Sequence, residues 1–426
     1  MWRELPLSAL AEITSGGTPS RDVGAYWGGD IPWVTPTDIT ACKTNYLIDT
    51  ADRITKGGLL NSSTKLLSAG SILFTSRATV GISRIAGIPV CTNQGFKSLT
   101  ARPNVDAKFL FYQVQRLRGA FERYAAGSTF PEINKKDTAR VLIPHPADKR
   151  IQQRIAAILT SIDTAIEKTE ALIAKYQQIK AGLMHDLFTR GVLPNGQLRP
   201  PPEQAPELYQ ATAIGWIPVE WRFTTCEAVC ERIIDCKNRT PPETPDGHPA
   251  IRTPNVRNGE FVDRELLFTD ARSYLIWTAR GKPQVGDVVI TREAPVGEVC
   301  TIPERHPEAC LGQRMMLYRP DKEIIDPRYF LFALQSRQIQ NRLDLISGGS
   351  TVGHVRVGDI RSLWMFVPKS NGEQKQIARA LFKATEQLRA ERAQRDKLQT
   401  QKLGLMQDLL TGKVQVRIKD KETEPA

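Results

Sequence analysis

Glu373-Gln-Lys375 has the Glu-x-Lys form found in many nucleases, where it would serve phosphodiester hydrolysis. It opens a helix-patterned segment and lacks an upstream Pro-Asp, so a solvated acid at the positive end of a helix accounts for it better. Cys226, Cys230 and Cys236 have the ligand type for zinc. No paired Cys-x-x-Cys and no nearby His completes a tetrahedral set, so free thiols in a reducing compartment are expected, and no metal. The five histidines, at 145, 185, 248, 306 and 354, have no Cys or Ser partner at an informative spacing. A glycine-rich phosphate loop, a Gly-x-Gly-x-x-Gly turn and the Asn/Asp-Pro-Pro-Tyr/Phe of amino-methyltransferases are all missing. The chain is therefore not expected to be an enzyme by itself.

What recurs is hydrogen-bonding loop material, twice, at matching places. Ser76-Arg77 and Arg292 follow apolar strands; Asn93-Gln94 and Gln313-Arg314 lie further on; Gly127-Ser128-Thr129 and Gly349-Ser350-Thr351 precede apparent helix starts. Upstream, Thr35 and Thr37 in one copy answer Arg252, Thr253 and Asn255 in the other. Arginine fits the O6 and N7 acceptors of guanine, and Asn or Gln fits adenine N6 and N7. Gly-Ser-Thr at a helix start can offer N–H groups and hydroxyls to phosphate. All of these are candidate DNA contacts. The plainer alternatives are that Thr129 and Thr351 are N-caps and that Gln94 and Gln313 tie strands together.

These residues lie on an internal repeat. Gly70-Ser-Ile-Leu-Phe-Thr-Ser-Arg-Ala-Thr-Val-Gly81 aligns with Gly286-Asp-Val-Val-Ile-Thr-Arg-Glu-Ala-Pro-Val-Gly297, and Lys180-Ala-Gly-Leu-Met-His-Asp-Leu187 with Lys402-Leu-Gly-Leu-Met-Gln-Asp-Leu409. Trp2 answers Trp221. The unit is far longer than a solenoid repeat, so it is a domain plus a helix used twice. Ile31-Pro-Trp-Val34 and Ser71-Ile-Leu-Phe74 read as strands, Gly28-Gly29 as a turn, and Asp326-Pro as an N-cap followed by a first helical residue. Each head is an α+β unit.

Period 3.5 then takes over. Ile151, Ile155, Ile158, Ile162, Ala165, Thr169, Leu172, Tyr176, Ile179 and Leu183 predict one coiled-coil seam. Ile377, Leu381, Ala384, Leu388, Glu391, Arg395, Leu398, Lys402, Leu405 and Leu409 predict a second, with a polar middle. The expected layout is two heads at opposite ends of an antiparallel two-helix coiled coil, related by a pseudo-two-fold. Its parts are head 1 (1–145), helix 1 (146–190), a Pro-rich linker (191–215), head 2 (216–369), helix 2 (370–412) and a polar tail (413–426).

The net charge of +12 favours a polyanionic partner. It is unevenly spread: residues 1–145 hold 17 basic against 11 acidic residues, and 216–369 hold 21 against 20. Head 2 must therefore segregate its arginines if it touches phosphate. No stretch is apolar enough to span a bilayer and no secretory leader opens the chain, so no membrane partner and a cytoplasmic location are expected.

On these residues the chain resembles the specificity subunits of type I restriction-modification systems. Gly215-Trp-Ile-Pro-Val-Glu-Trp221, the Gly-Ser-Thr near each head's end, Ile143-Pro144 and Val367-Pro368 before the long helices, and Leu-Met-x-Asp-Leu closing both helices carry the likeness. The first helix departs from it, opening Asp148-Lys-Arg-Ile-Gln-Gln-Arg154 without a Glu-Gln pair. The resemblance implies two target-recognition domains, each reading half of an asymmetric bipartite site in double-stranded DNA. The paired helices would set the spacer and dock two methyltransferase subunits, with restriction subunits joining through them. Ile155, Ile162, Leu183, Asp186, Ile377, Leu381, Leu405 and Asp408 are the candidate helix-pairing and docking residues. S-adenosylmethionine, ATP and Mg2+ would belong to the partner subunits, with no cofactor on this chain. Two rival readings stay open: the recognition part of a fused methyltransferase or nuclease, and a coiled-coil protein adaptor.

Overall fold

In a computed structural model the chain is described over residues 2–125, 131–212, 215–348 and 353–418. It divides into two compact units, residues 1–172 with 391–426, and residues 173–390. Each unit holds one head, and each long helix, Lys149–Thr189 and Asn371–Leu409, is shared between them.

In the first unit a five-stranded sheet runs in the order Ala11–Ser15, Lys97–Ala101, Ile72–Phe74, Ser83–Ala86, Tyr46–Leu47. A three-stranded sheet has Trp27–Val34 between Asp52–Ile54 and Cys91–Thr92. Gly28 and Gly29 thus lie inside a strand rather than in the predicted turn. Gly29 has no room for a Cβ, which would stand 2.5 Å from the Ile54 carbonyl oxygen, and a register shift between Trp27 and Ile31 absorbs the irregularity. The second unit repeats the plan. Cys230–Asp235, Met315–Pro320, Val288–Arg292 and Val296–Thr301 form a four-stranded sheet, and His248–Ile251 stands between Leu267–Thr269 and Cys310–Leu311. Each head is closed by an antiparallel pair that brings its first and last strands together, with Trp2 opposite Pro146 in one and Trp221 opposite Pro368 in the other.

A glutamine locks each closing strand to the helix that follows it. Gln152 accepts from Asp106 N (2.8 Å) and donates to the carbonyl of Pro146 (3.0 Å). Gln374, its repeat partner, accepts from Asp326 N (2.7 Å) and donates to that of Pro368 (2.9 Å). Both amides are buried. Asp106 and Asp326 in turn cap the helices Ala107–Arg116 and Pro327–Leu334 with their carboxylates.

Within the first unit, Ile155, Ala156 and Leu159 near the start of one long helix share a core with Met406, Leu409 and Leu410 at the end of the other. Within the second, Leu187 and Phe188 share a core with Ile377, Ala378 and Leu381. The chain leaves each long helix through a glycine with positive φ that faces a head's opening tryptophan. A Cβ on Gly412 would meet Trp2 at 2.7 Å, and one on Gly191 would meet Trp221 at the same distance.

The predicted frame of the second helix holds, with Ile377, Leu381, Leu388 and Leu409 buried. On the first, Ile155 and Thr169 are buried as predicted, but most of the buried face lies one residue further on. Gln152, Ala156, Leu159, Asp163, Ile166 and Ile173 are buried, whereas Leu172 and Ile179 are exposed and Ile162 is half-buried. Apolar residues occur in both frames there, and the deciding positions are two polar ones, Gln152 and Asp163, which a hydrophobic count rejects. They go inside because they are bonded there. Asp163 pairs with Lys402 (2.7 Å) and accepts from Tyr112 (2.6 Å) and Asn45 (2.7 Å). Burial, and then the hydrogen bond to this carboxylate, push the Tyr112 phenol well above its ordinary range.

Candidate nucleic-acid interface

Three backbone hydrogen bonds build the same corner in both heads. In head 1, Asn93 N donates to Val34 O (3.0 Å), Ser76 N to Gly95 O (2.7 Å) and Ile133 N to Ser76 O (3.0 Å). In head 2 the repeat-equivalent bonds are Gly312 N to Ile251 O (2.8 Å), Arg292 N to Arg314 O (2.9 Å) and Val355 N to Arg292 O (3.1 Å). The corner gathers the segments that carry most of the predicted contacts: Thr35, Ser76-Arg77 and Asn93-Gln94 in one head, Arg252, Arg292 and Gln313-Arg314 in the other.

Not all of these side chains face outward. Ser76 is buried at the base of its corner, where Lys97 Nζ approaches its hydroxyl at 3.4 Å. Arg292, its equivalent, is buried too and lies 3.7 Å from Asp235. Asn255 is fully buried and donates to the carbonyls of Val262 and Arg264, both at 3.1 Å. All three are turned inward, and Asn255 is held there by backbone carbonyls that its loop leaves in need of partners. Thr35 caps the helix Pro36–Ala41 in a reciprocal box with Asp38, and Thr37 is exposed in that helix. Arg252 reaches the Glu265 carbonyl (2.7 Å), and Thr253 opens a 3-10 turn. Asn93 accepts from Gly95 N (2.9 Å), and exposed Gln94 accepts from the Thr18 hydroxyl. Gly127, Ser128, Thr129, Gly349, Ser350 and Thr351 lie outside the described residues.

Arg77 and Arg314 do reach the surface, at 47% and 42% side-chain exposure. Each is held at Nε by a carboxylate: Arg77 by Glu132 (2.8 Å) and Arg314 by Glu293 (3.1 Å), whose other oxygen meets His354 Nδ1 (2.6 Å). Sequence reasoning missed Glu132, Glu293 and His354. The repeat could have found them, since Glu293 is the equivalent of Arg77 and His354 that of Glu132, so the acid changes sides at one matched pair. It also missed Lys97, whose ammonium is held below its ordinary pKa, chiefly by burial.

The catalytic alternatives find other uses in the structure. Glu373 is buried rather than solvated: it pairs with Arg199, which is 2% exposed, and accepts from Trp221 Nε1 and Val192 N, both at 3.0 Å. Cys226 and Cys236 are buried and Cys230 half-buried, all as free thiols; burial pushes Cys226 up to about 12. Among the described residues no group of three His, Cys, Asp or Glu is placed to hold a metal, and no helix is long and apolar enough to cross a membrane. Of the helix residues proposed for docking, Ile155, Ile377 and Leu381 are buried, and Leu183 and Leu405 pack against the core of their own unit. Their first task is therefore internal packing. Asp408 is half-exposed, 3.7 Å from Lys413, and Asp186 is half-buried.

The family model described as type I restriction modification DNA specificity domain matches residues 1–178 and again 218–400. The chain is 34% identical over 189 residues to the MjaIX specificity subunit of Methanocaldococcus jannaschii, an alignment spanning 44% of this chain and 43% of that protein. It is 24% identical over 366 residues to the putative MjaX specificity subunit of the same organism, covering 82% and 80%. With the EcoR124I/EcoR124II specificity subunit of Escherichia coli it shares 31% over 166 residues, 37% and 40% of the two chains. In fold it is similar to the type I restriction-modification S subunit of M. genitalium, with a TM-score of 0.58 over 96% of both chains at 15% identity. Two family matches, each taking in one head and much of the helix after it, account for the repeat, and the chain belongs to the type I restriction-modification DNA specificity family.

Proposed function

We propose that this chain is the DNA-reading subunit of a type I restriction-modification complex, recognising an asymmetric site of two separated halves, one half per head. The observation that carries this reading is the repeated corner: two family matches on one chain, each containing the same three-bond loop junction with different side chains mounted on it. A common frame with divergent surface residues is what reading two different half-sites demands. In this reading the long helices pair antiparallel as a rod with the heads at its ends. Its length sets the number of unread base pairs, since major-groove faces recur about every 34 Å along B-DNA. Two methyltransferase subunits dock along the rod, restriction subunits join through them, and S-adenosylmethionine, ATP and Mg2+ are used by those partners in the cytoplasm. The chain itself contributes binding and spacing and no catalysis.

Replacing residues 1–145 with the equivalent head of another such subunit tests this. Methylated adenines are mapped genome-wide in cells carrying the chimera with its methyltransferase. One half of the motif should change while the other half and the spacer stay the same. A single continuous motif, or two halves that change together, would refute the two-head reading.

A further inference from the structure

Arg77 and Arg314 occupy different positions in the repeat yet reach the same arrangement. Both are roughly half exposed, and in both Nε lies at ion-pair distance from a less exposed carboxylate of the same corner. An Nε contact leaves the two terminal nitrogens of the guanidinium, a fork of donors that matches N7 and O6 of guanine. The Arg314 Nε is enclosed and makes no hydrogen bond to Glu293 despite the 3.1 Å approach, so the contact is one of charge and the exposure of that side chain belongs to its far end. Backbone geometry marks the same two places: Ala78, next to Arg77, has φ 57°, and Arg314 has φ 71°. Non-glycine residues rarely enter this left-handed region and stay there only where their surroundings fix them.

We propose that each head reads one G·C pair of its half-site with a carboxylate-held arginine, Arg77 positioned by Glu132 and Arg314 positioned by Glu293, which His354 positions in turn. This rests on the DNA-reading function proposed above. The carboxylates separate base reading from phosphate binding. A Glu beside each arginine makes the pair neutral and would repel a phosphate, whereas a base edge carries no net charge and gains from an arginine whose rotamer is fixed. Lys97, buried at the first corner beside Ser76, adds a positive charge near the Arg77 pair without occupying the surface, whereas Arg292 at the second corner is offset by Asp235. Glu293 holds partners at both oxygens and is therefore a positioning residue rather than the reader.

The test uses the full chain expressed with its methyltransferase subunits, with adenine methylation mapped genome-wide and binding measured on duplexes varied at each motif position. The unaltered complex should yield a two-part motif with at least one G·C pair in each half. Arg77→Ala should erase the preference at one G·C position of the first half, a loss of about 5- to 150-fold in discrimination. Glu132→Gln should relax that same position while strengthening binding to unrelated DNA, and Glu132→Asp should restore part of the preference. Arg314→Ala and Glu293→Gln should act alike on the second half alone, with His354→Gln smaller in the same direction. A half-site without a G·C pair overturns the inference for that head whatever the variants do. Arg77→Ala weakening all sequences equally, or Glu132→Gln leaving every preference intact, overturns it as well. Absence of any two-part motif from the unaltered complex would instead sink the DNA-reading function on which it stands.

Discussion

The two units solve one mechanical problem, fastening a head to two long helices, with a shared part and a private part. The shared part is hydrogen bonding to backbone: Gln152 and Gln374 make matching bonds because the strand and turn they serve have matching shapes. The private part is charge. In the first unit Lys402 lies over the Tyr112 ring at 5.8 Å and pairs with Asp163; in the second, Lys180 lies over Phe332 at the same distance, but Thr385 stands where Asp163 would be. The second unit instead buries Arg199 against Glu373, whose equivalent in the first is Ile151. Duplicated frames keep bonds that backbone geometry dictates. Ion pairs, whose net value depends on local desolvation, drift between sites.

The largest expected effect breaks the private part of the second unit. Glu373→Ala leaves the Arg199 guanidinium buried with only the exposed Glu220 as a carboxylate partner (2.8 Å) and should cost about 3–5 kcal/mol in denaturant unfolding. Replacing the pair together, Arg199→Met with Glu373→Leu, should recover only the part owed to the stranded guanidinium, because Trp221 Nε1 and Val192 N still lose their acceptor. A cost below about 1 kcal/mol for Glu373→Ala would show the pair to be incidental. Asp163→Ala in the first unit should cost less, about 1.5–3 kcal/mol, because Lys402 keeps a path to water at 20% exposure. Gln152→Leu and Gln374→Leu should each cost about 1–3 kcal/mol by orphaning a backbone N–H and carbonyl, and in a His145→Val background, which removes the extra bond of Gln152 to His145, the two losses should agree within about 0.5 kcal/mol. A clear inequality would mean that the shared part is shared only in appearance.

Much of this frame is legible in the sequence because the repeat gives each element twice. Asp326-Pro marks a helix start, and its partner Asp106 follows by alignment; the heptad of the second helix reads correctly at Ile377, Leu381, Leu388 and Leu409, the large apolar residues that its frame picks out. The first helix misleads because Ile155 and Ala156, Ile158 and Leu159, and Leu172 and Ile173 offer two adjacent frames, and polar Gln152 and Asp163 decide between them through partners more than 40 residues away. The candidate site divides the same way. Arg77 and Arg314 are visible as residue types with a use at DNA. Ser76, Asn255 and Arg292 have the same kinds of side chain but turn inward, and nothing local in the sequence separates the two groups. Glu132 and His354 escape notice because their importance lies in what they face across the corner.

The smallest effect is a pH dependence confined to the first unit. His145 sits on the strand closing head 1, is 4% exposed, and its Nε2 lies 2.9 Å from the Gln152 amide nitrogen. That nitrogen is a donor, because the Gln152 oxygen is already committed to Asp106 N, so the imidazole must accept at Nε2 and be neutral. Burial accordingly holds its pKa below the ordinary 6.5. As pH falls through 6.5 the unfolded chain takes up a proton that the folded chain refuses, so stability declines toward acid, at no more than about 1.4 kcal/mol per pH unit for this one group. The decline ends once the pH passes below the folded value. At the equivalent place the second unit has Val367, which carries no proton, so His145→Val should flatten this part of the stability profile between pH 6.5 and 5 while leaving unfolding at pH 8 little changed by comparison. An unchanged acid slope in that variant would move the proton uptake to another group and remove this difference between the units.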